Sequence, residues 1–173
     1  TTRDLYGEVI GSGSTEDPVV LIVDACNASL LVHSRGSRRR RGASPSLKLE
    51  DYPPVGVILA ASSVGETHEW GNYLSGSFSH EVRSGLLGPA DVDDDGRVTF
   101  AGLAAFVASA NTRVTNPTVR VTPYIRPPLG VPGLALIDLR EAGFRARVRI
   151  EGDLAGKAHL VNSELLRVAD FHG

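Results

Sequence analysis

The chain is short of the residues that stabilise or anchor extracellular and membrane proteins. A single cysteine among 173 residues cannot form an internal disulfide, so nothing indicates an oxidising compartment. No apolar stretch is long enough to span a bilayer, and the start shows no signal-peptide pattern. We therefore expect a cytoplasmic protein with no membrane partner. Methionine is also missing, which predicts that the chain is a processed piece of a longer product.

The chain has no excess of positive charge either. Its formal net charge of -2 argues against a protein devoted to nucleic acid, so we expect nucleic acid not to be its partner. A length of 173 residues with 42% hydrophobic residues is enough for one sizeable core. One domain with a small appendage is the simplest organisation.

Two apolar runs predict neighbouring strands of a parallel sheet. Residues 19–23 have no polar alternation, which is typical of a strand buried on both faces, and residues 55–61 repeat the pattern. Asp24 follows the first run and Ser62 follows the second. Because open α/β sheets bind ligands beyond the carboxyl ends of their strands, we expect a shared crevice there.

Helical periodicity follows the two strands. Residues 76–87 place Phe78, Val82 and Leu86 on one helix face, and a second helix begins after Thr99, a suitable N-cap. The fold class is therefore α/β.

From residue 112 the sequence becomes rich in predicted strands and prolines. Residues 119–122 and 146–150 alternate apolar and polar side chains, as half-buried strands do. A pair of short strands is expected within residues 157–171. We divide the chain into residues 1–111, which carry the predicted crevice, and a β-rich region over residues 112–173.

Cys26 lies where chemistry is expected, just beyond the first strand. A cysteine is a useful nucleophile only as the thiolate, which needs a base or a positive field nearby. The alternative is an inert, buried cysteine that acts as a small hydrophobic residue. Position alone leaves both interpretations open.

Residues 20–29, with the order Asp24-Ala25-Cys26, resemble the catalytic-cysteine strand of caspase-like peptidases, in particular the bacterial metacaspase-like members. A second block, residues 58–66, 76–80 and 85–91, resembles the next strand and helix of that family. The resemblance covers roughly residues 19–110. It implies the C-terminal part of a caspase-like fold, a mostly parallel sheet flanked by helices, here followed by the small β-rich appendage.

The resemblance implies a cysteine endopeptidase that cleaves protein or peptide substrates after arginine or lysine. Cys26 would be the nucleophile of an acyl-enzyme, and Asp24 would line an acidic S1 pocket. Ser62 and Glu66 are further candidates for this pocket. For Asp24 the alternative is a carboxylate bonded to loop amides, and for Glu66 a structural role is equally open.

The histidines depart from the family pattern. The general base of caspases lies about 50 residues upstream of the cysteine, whereas all five histidines here lie downstream of Cys26. They are His33, His68, His80, His159 and His172, and we expect them to be surface or packing residues, with His68 a weak candidate for the base. The resemblance therefore implies a complementary segment or chain that carries the histidine. The alternative is a degenerate homologue that acts as an inactive interaction module.

A basic cluster follows the predicted nucleophile. Arg38, Arg39, Arg40 and Arg41 lie between the two strands, where this family is commonly cleaved for activation, so an activating protease is an expected partner. An acidic S1 pocket would also accept this segment. The alternatives are a solvated linker and a binding patch for anionic polymers.

An aspartate-rich segment precedes the second helix. Asp91, Asp93 and Asp95, followed by Gly96, match the start of an EF-hand-like calcium loop. The bidentate glutamate of position twelve is replaced by Gly102. We therefore expect no cofactor and interpret the segment as a helix-entry turn whose carboxylates cap the second helix, with calcium as a secondary hypothesis.

Overall fold

The described residues fold as a mixed α/β structure with a small sheet of mixed strand orientation and two helices. The computed structural model describes residues 18–25, 28, 55–60, 69–70, 75–112, 114–116, 120–150 and 157–172. The elements in chain order are β1 (Val19–Val23), β2 (Val55–Ala60), β3 (Glu69–Trp70), β4 (Ser75–Gly76), α1 (Ser77–Leu86), β5 (Arg97–Thr99), α2 (Phe100–Ala110), β6 (Pro123–Arg126), β7 (Ala135–Asp138), β8 (Lys157–Val161) and β9 (Arg167–His172).

Three strands form the central sheet in the order β1-β2-β6. The pairing of β1 with β2 is parallel, with Val23 opposite Leu59 near the carboxyl ends, which confirms the predicted neighbours. The pairing of β2 with β6 is antiparallel, so the described sheet is mixed rather than mostly parallel. The other described strands form three separate two-stranded antiparallel ladders, β3-β4, β5-β7 and β8-β9.

The two apolar strands differ in burial. Every residue of β2 is buried, as its sequence predicts, because β2 lies in the middle of the sheet. The expectation that β1 is buried on both faces is wrong: Val20 is 37% exposed and Ile22 46% exposed. Within the described residues β1 pairs only with β2, and the helices pack over β2, so one face of β1 is left uncovered.

Both predicted helices are confirmed. In α1 the predicted apolar face is correct, since Phe78 and Val82 are each 4% exposed. The helix ends at Leu86, close to Gly88, whose φ of +129° favours glycine. In α2 the side chain of Thr99 accepts a hydrogen bond from the Gly102 amide, as the N-cap prediction requires.

The main core lies between the helices and one face of the sheet. Ile58 of β2 packs there with Phe100, Leu103 and Val107 of α2, none of them more than 1% exposed. The opposite face of β2 forms a second apolar cluster that includes Ala28. The two faces of β2 thus contribute to both clusters.

The region after residue 111 contributes strands that pair with, or pack against, elements before that residue. β6 pairs with β2, β7 pairs with β5, and β9 packs against α1. The predicted strand pair within residues 157–171 is confirmed as β8 and β9, joined by a turn at Asn162. The division of the chain at residue 111 stays a prediction.

Two other predicted strands of this region are not observed. Arg120, Val121 and Thr122 have no strand structure, and the strand begins one residue later, at Pro123. Proline has no amide hydrogen and is therefore tolerated at the first residue of a strand. Residues 146–150 form no strand, and Val148 is 57% exposed, because no described strand pairs with them. Among the described residues, neither helix has both the length and the apolar composition that crossing a membrane requires.

Candidate functional site

Asp24 follows β1 directly and is exposed to solvent. Its carboxylate accepts a hydrogen bond from Ser79 in the first turn of α1, with 2.5 Å between Oγ and Oδ2. The N-cap of this helix, Gly76, provides no side-chain cap, and the first turn carries no acidic residue. Because a negative charge is favourable at a helix N-terminus, Asp24 stabilises the start of α1.

The contact between Asp24 and α1 requires glycine at position 76. A Cβ atom built on Gly76 would lie 2.6 Å from Oδ2 of Asp24, closer than a normal van der Waals contact. The expected alternative for Asp24, bonding to loop amides, differs from the observed bond, which comes from a helix hydroxyl. The carboxylate nevertheless remains exposed and can meet a cationic ligand.

The carboxyl ends of β1 and β2 lie side by side. Val23 pairs with Leu59 in parallel register, so the chain leaves both strands at the same edge of the sheet. This is the edge at which α/β sheets bind ligands. Asp24 lies at that edge because it follows Val23, the last residue of β1.

The remaining residues of the predicted peptidase site lie outside the described residues. These are Cys26, Ser62, Glu66 and the arginines Arg38, Arg39, Arg40 and Arg41. Their roles as nucleophile, S1 pocket and processing segment stay predictions. Ala25, next to Cys26, is exposed, and its carbonyl accepts a hydrogen bond from the amide of Ala28 at 3.1 Å.

An apolar groove lies beside Asp24. It has a volume of about 280 Å³ and is lined by Ile22 of β1, by Val82 and Leu86 of α1, and by Phe144. Ser79, the partner of Asp24, also lines it. Ile22 of β1 and the apolar side chains of α1 thus face one groove, which Ser79 connects to the Asp24 carboxylate.

Three of the five histidines are described, and their positions fit packing or surface roles. His80 is fully buried, with Nε2 3.3 Å from Oδ1 of Asp170. His172 has Nε2 2.8 Å from Oε2 of Glu81. His159 is an exposed residue of β8. His33 and His68 lie outside the described residues.

A buried polar cluster that the sequence did not predict lies between α1 and β9. The members of this α1–β9 cluster are His80, Glu81, Ser84, Arg167, Asp170 and His172. The only sequence signal is weak: polar side chains recur at i, i+4 in a helix and at i, i+2 in a strand. Nothing in the order of residues indicates that these two segments, about 90 positions apart, meet.

Asp170 is the centre of the α1–β9 cluster. Arg167 donates to both carboxylate oxygens of Asp170, at 2.7 and 2.8 Å. The backbone amide of Asp170 donates to Oγ of Ser84 at 3.0 Å. Burial raises the pKa of Asp170, but the hydrogen bonds from His80 and Arg167 outweigh this effect and hold the pKa below its usual range. Asp170 is therefore an ionised carboxylate inside the protein.

The aspartate-rich turn does not cap α2 in the way the sequence suggested. The carboxylate of Asp91 accepts hydrogen bonds from the backbone amides of Asp95 and Gly96, at 3.1 and 3.0 Å. Asp91 therefore satisfies amides of its own turn rather than those of α2. The cap is the side chain of Thr99. The expected capping by carboxylates is wrong, because Asp91 is bonded to amides of its own turn and Thr99 already accepts from the helix amide of Gly102.

Two groups of described side chains bring potential metal ligands together. Asp91, Asp93 and Asp95 form one group, which is half-buried to exposed. Glu81, Asp170 and His172 form the other, inside the α1–β9 cluster. In each group one ligand atom from each residue lies within 4.8 Å of the others. Calcium binding at the first group stays a prediction.

Comparison of the chain with protein-family models, with curated proteins and with solved structures finds no match. Its function is therefore inferred from the residues and their arrangement.

Proposed function

We propose that this chain is the nucleophile-bearing part of a caspase-like cysteine endopeptidase that cleaves proteins after arginine or lysine. The observation that carries the proposal is the position of Asp24. An exposed carboxylate lies at the shared carboxyl edge of two parallel strands, two residues before Cys26. A carboxylate at that edge suits the cationic side chain of a substrate, and a thiol at the same edge suits attack on its peptide bond.

In the proposed reaction, the thiolate of Cys26 attacks the carbonyl carbon of the basic residue itself, which becomes the acyl group of a thioester. The amine product leaves with a proton from the general acid, and water then hydrolyses the thioester. The Cys26 backbone amide would help to stabilise the oxyanion. The caspase-like sheet flanked by helices, of which β1, β2 and α1 would be part, belongs to this proposal.

The general base must be a histidine that is not occupied elsewhere. His80 and His172 are buried beside carboxylates, and His159 lies on β8. Because the base of the family lies upstream of the cysteine and every histidine here lies downstream of Cys26, we place the base on a complementary segment or chain, with His68 as the weaker candidate. An activating protease would cleave near the arginines at 38–41, and a cytoplasmic location agrees with the absence of a second cysteine.

The test is labelling by a thiol-reactive peptide probe with arginine at P1, compared with a matched probe that has aspartate at P1. The chain is assayed alone and together with the polypeptide that supplies the histidine. We expect labelling of Cys26 by the arginine probe in the assembled protein, and none in Cys26→Ala.

Two variants separate an S1 role of Asp24 from a structural role. Asp24→Asn should reduce labelling by the arginine probe at least about tenfold, which corresponds to about 1.4 kcal/mol. Ser79→Ala removes the hydrogen bond to Asp24 but keeps the carboxylate, so labelling should persist. Equal losses in both variants would show that Asp24 only supports α1.

A second candidate is a catalytically inactive interaction module of the same fold. The observation that favours it is the bond between Asp24 and Ser79, because a carboxylate that stabilises a helix start needs no substrate. This candidate predicts that Cys26 is not labelled even when the complementary polypeptide is present. Labelling of the assembled protein excludes it.

A further inference from the structure

Three ionisable side chains of the α1–β9 cluster are almost completely buried. Glu81 is 7% exposed and Asp170 1% exposed, and the side chain of His172 is 2% exposed. Burial of a carboxylate is costly unless the group is paired or coordinates a metal ion. Arg167 forms an ion pair with Asp170. Among the described residues, the only such partner of Glu81 is the imidazole of His172.

His172 itself is incompletely satisfied. Its ring points into the α1–β9 cluster, with Nε2 on Glu81, and packs against Phe106 with 4.8 Å between ring centroids. Its other ring nitrogen, Nδ1, is buried and has no hydrogen-bond partner among the described residues. One nitrogen of the ring therefore keeps an unused proton or an unused lone pair in the interior, which is costly. Nε2, the ring nitrogen that faces Glu81, is the one that can ligate an ion shared with Glu81, and the ring proton is then on Nδ1.

We propose that Glu81, Asp170 and His172 bind a divalent transition-metal ion of the zinc type. Imidazole nitrogen and carboxylate oxygen are the ligands that zinc accepts besides thiolate. One ligand atom from each of the three side chains already lies within 4.8 Å of the others. Bond lengths of about 2.0–2.2 Å would bring these atoms to about 3.3–3.6 Å apart in a tetrahedron, so small side-chain adjustments are enough.

The fourth position of the ion belongs to His80 or to water. Nε2 of His80 lies 3.3 Å from Oδ1 of Asp170, which matches the edge of a tetrahedron with bonds of about 2.0 Å. Arg167, which holds both oxygens of Asp170, would orient that ligand from outside the coordination shell. The carboxylate of Glu81, beside which the described residues place the His172 imidazole and no guanidinium, leaves a negative charge for the ion to offset.

The ligands come from two elements that are distant in sequence, α1 and β9. A bound ion would therefore join them and stabilise the native state, because a metal that binds only the folded chain adds its binding free energy to stability. The site is independent of the proposed peptidase chemistry, since it involves neither Asp24 nor Cys26.

The experiment is titration of the chelator-stripped chain with Zn²⁺, followed by calorimetry, and with Co²⁺, followed by visible absorption. We expect one ion per chain, tetrahedral Co²⁺ bands, and a rise in the thermal midpoint with Zn²⁺. His172→Gln and Glu81→Gln should each weaken Zn²⁺ binding at least about tenfold, the effect of losing about 1.4 kcal/mol of binding free energy.

Matched controls locate the ion. His159→Gln changes an exposed histidine of β8, and Asp93→Asn changes the other acidic group, so both should bind Zn²⁺ as the unmodified chain does. Loss of binding in either control, or unchanged binding in His172→Gln, would overturn the proposal. If His172→Gln does not fold, the unmodified chain decides: absence of stoichiometric binding or of tetrahedral Co²⁺ bands also overturns it.

Discussion

Gly102 shows at the residue scale why the aspartate-rich turn departs from an EF-hand. A Cβ atom at this position would lie 2.3 Å from the carbonyl oxygen of Ala90, so no larger residue fits without a backbone shift. Position twelve of the motif cannot hold its bidentate glutamate while Ala90 packs there. The missing ligand is therefore a consequence of how tightly α2 approaches the preceding turn.

Replacement of Gly102 by alanine should lower the free energy of unfolding by about 1–3 kcal/mol. Overpacking against a backbone oxygen costs about that much or more, and this outweighs the gain of up to ~1 kcal/mol in helix propensity. Urea unfolding followed by circular dichroism measures the change. Gly133→Ala is the control, because nothing lies within 4 Å of its Cβ position. Equal stability of both variants would contradict the proposed packing.

Thr99 is the second residue with a defined local role. Thr99→Ala removes the hydrogen bond to the Gly102 amide, so we expect a loss of about 1 kcal/mol in unfolding free energy. Thr99→Ser keeps the hydroxyl and should therefore retain most of the unfolding free energy that Thr99→Ala loses. Exposed Thr115, which precedes neither helix, serves as the control for a threonine-to-alanine change. A loss of similar size in Thr115→Ala would remove the capping explanation.

Burial separates strands of similar sequence at the element scale. Ile58 in β2 is fully buried, whereas Ile22 in β1 is 46% exposed. Ile58→Ala should destabilise the protein by about 2–5 kcal/mol, because it removes apolar surface from the core and leaves a cavity. Ile22→Ala should cost less than about 1 kcal/mol, since little burial is lost. Thermal and urea unfolding of the pair tests this; similar losses would mean that β1 is covered in solution.

The contact between α1 and β9 depends on the charge of Asp170. Because its pKa is lower in the folded state than in the unfolded chain, its contribution to stability is complete above the ordinary aspartate pKa of about 3.9. The contribution is lost as the pH falls through the lower, folded-state pKa. Stability measured in chelator should therefore decline as the pH falls below the ordinary aspartate pKa, about 3.9.

Asp170→Asn tests the origin of that decline. The variant should be less stable at neutral pH and should lose less stability on acidification, because the amide does not titrate. Asp93→Asn, an exposed change, should keep the pH dependence of the unmodified chain. An unchanged pH dependence in Asp170→Asn would assign the effect to other carboxylates.

At the scale of the whole molecule, one core connects the regions on either side of residue 111. Ile125 and Ile137 pack against the same buried cluster as Ile58 and Leu103. β6 also completes the sheet next to β2. We expect a single cooperative unfolding transition, because neither region has a separate core among the described residues.

Coincidence of probes measures this cooperativity. Far-ultraviolet circular dichroism, which follows the two helices before residue 111, and the NMR amide signals of β8 and β9, which lie after it, should give the same urea midpoint. Two separate midpoints would instead support residues 112–173 as an independent appendage.

The parts that follow from the amino-acid order are local. Periodicity located α1 and α2, Thr99 located a cap, and continuous apolar runs located β1 and β2. Each of these signals is carried by residues within one or two turns or one strand, so no distant contact is needed to interpret it. For the same reason the position of Asp24 at the carboxyl end of β1 was predictable, although its bond to Ser79 was not.

Tertiary contacts decided the rest. The uncovered face of β1 and the antiparallel addition of β6 depend on which elements pack against the sheet. The meeting of Glu81 with His172 depends on β9 docking against α1 across about 90 residues of chain. Such encounters are set by the free energy of the whole packed core, to which each local pattern contributes only a part.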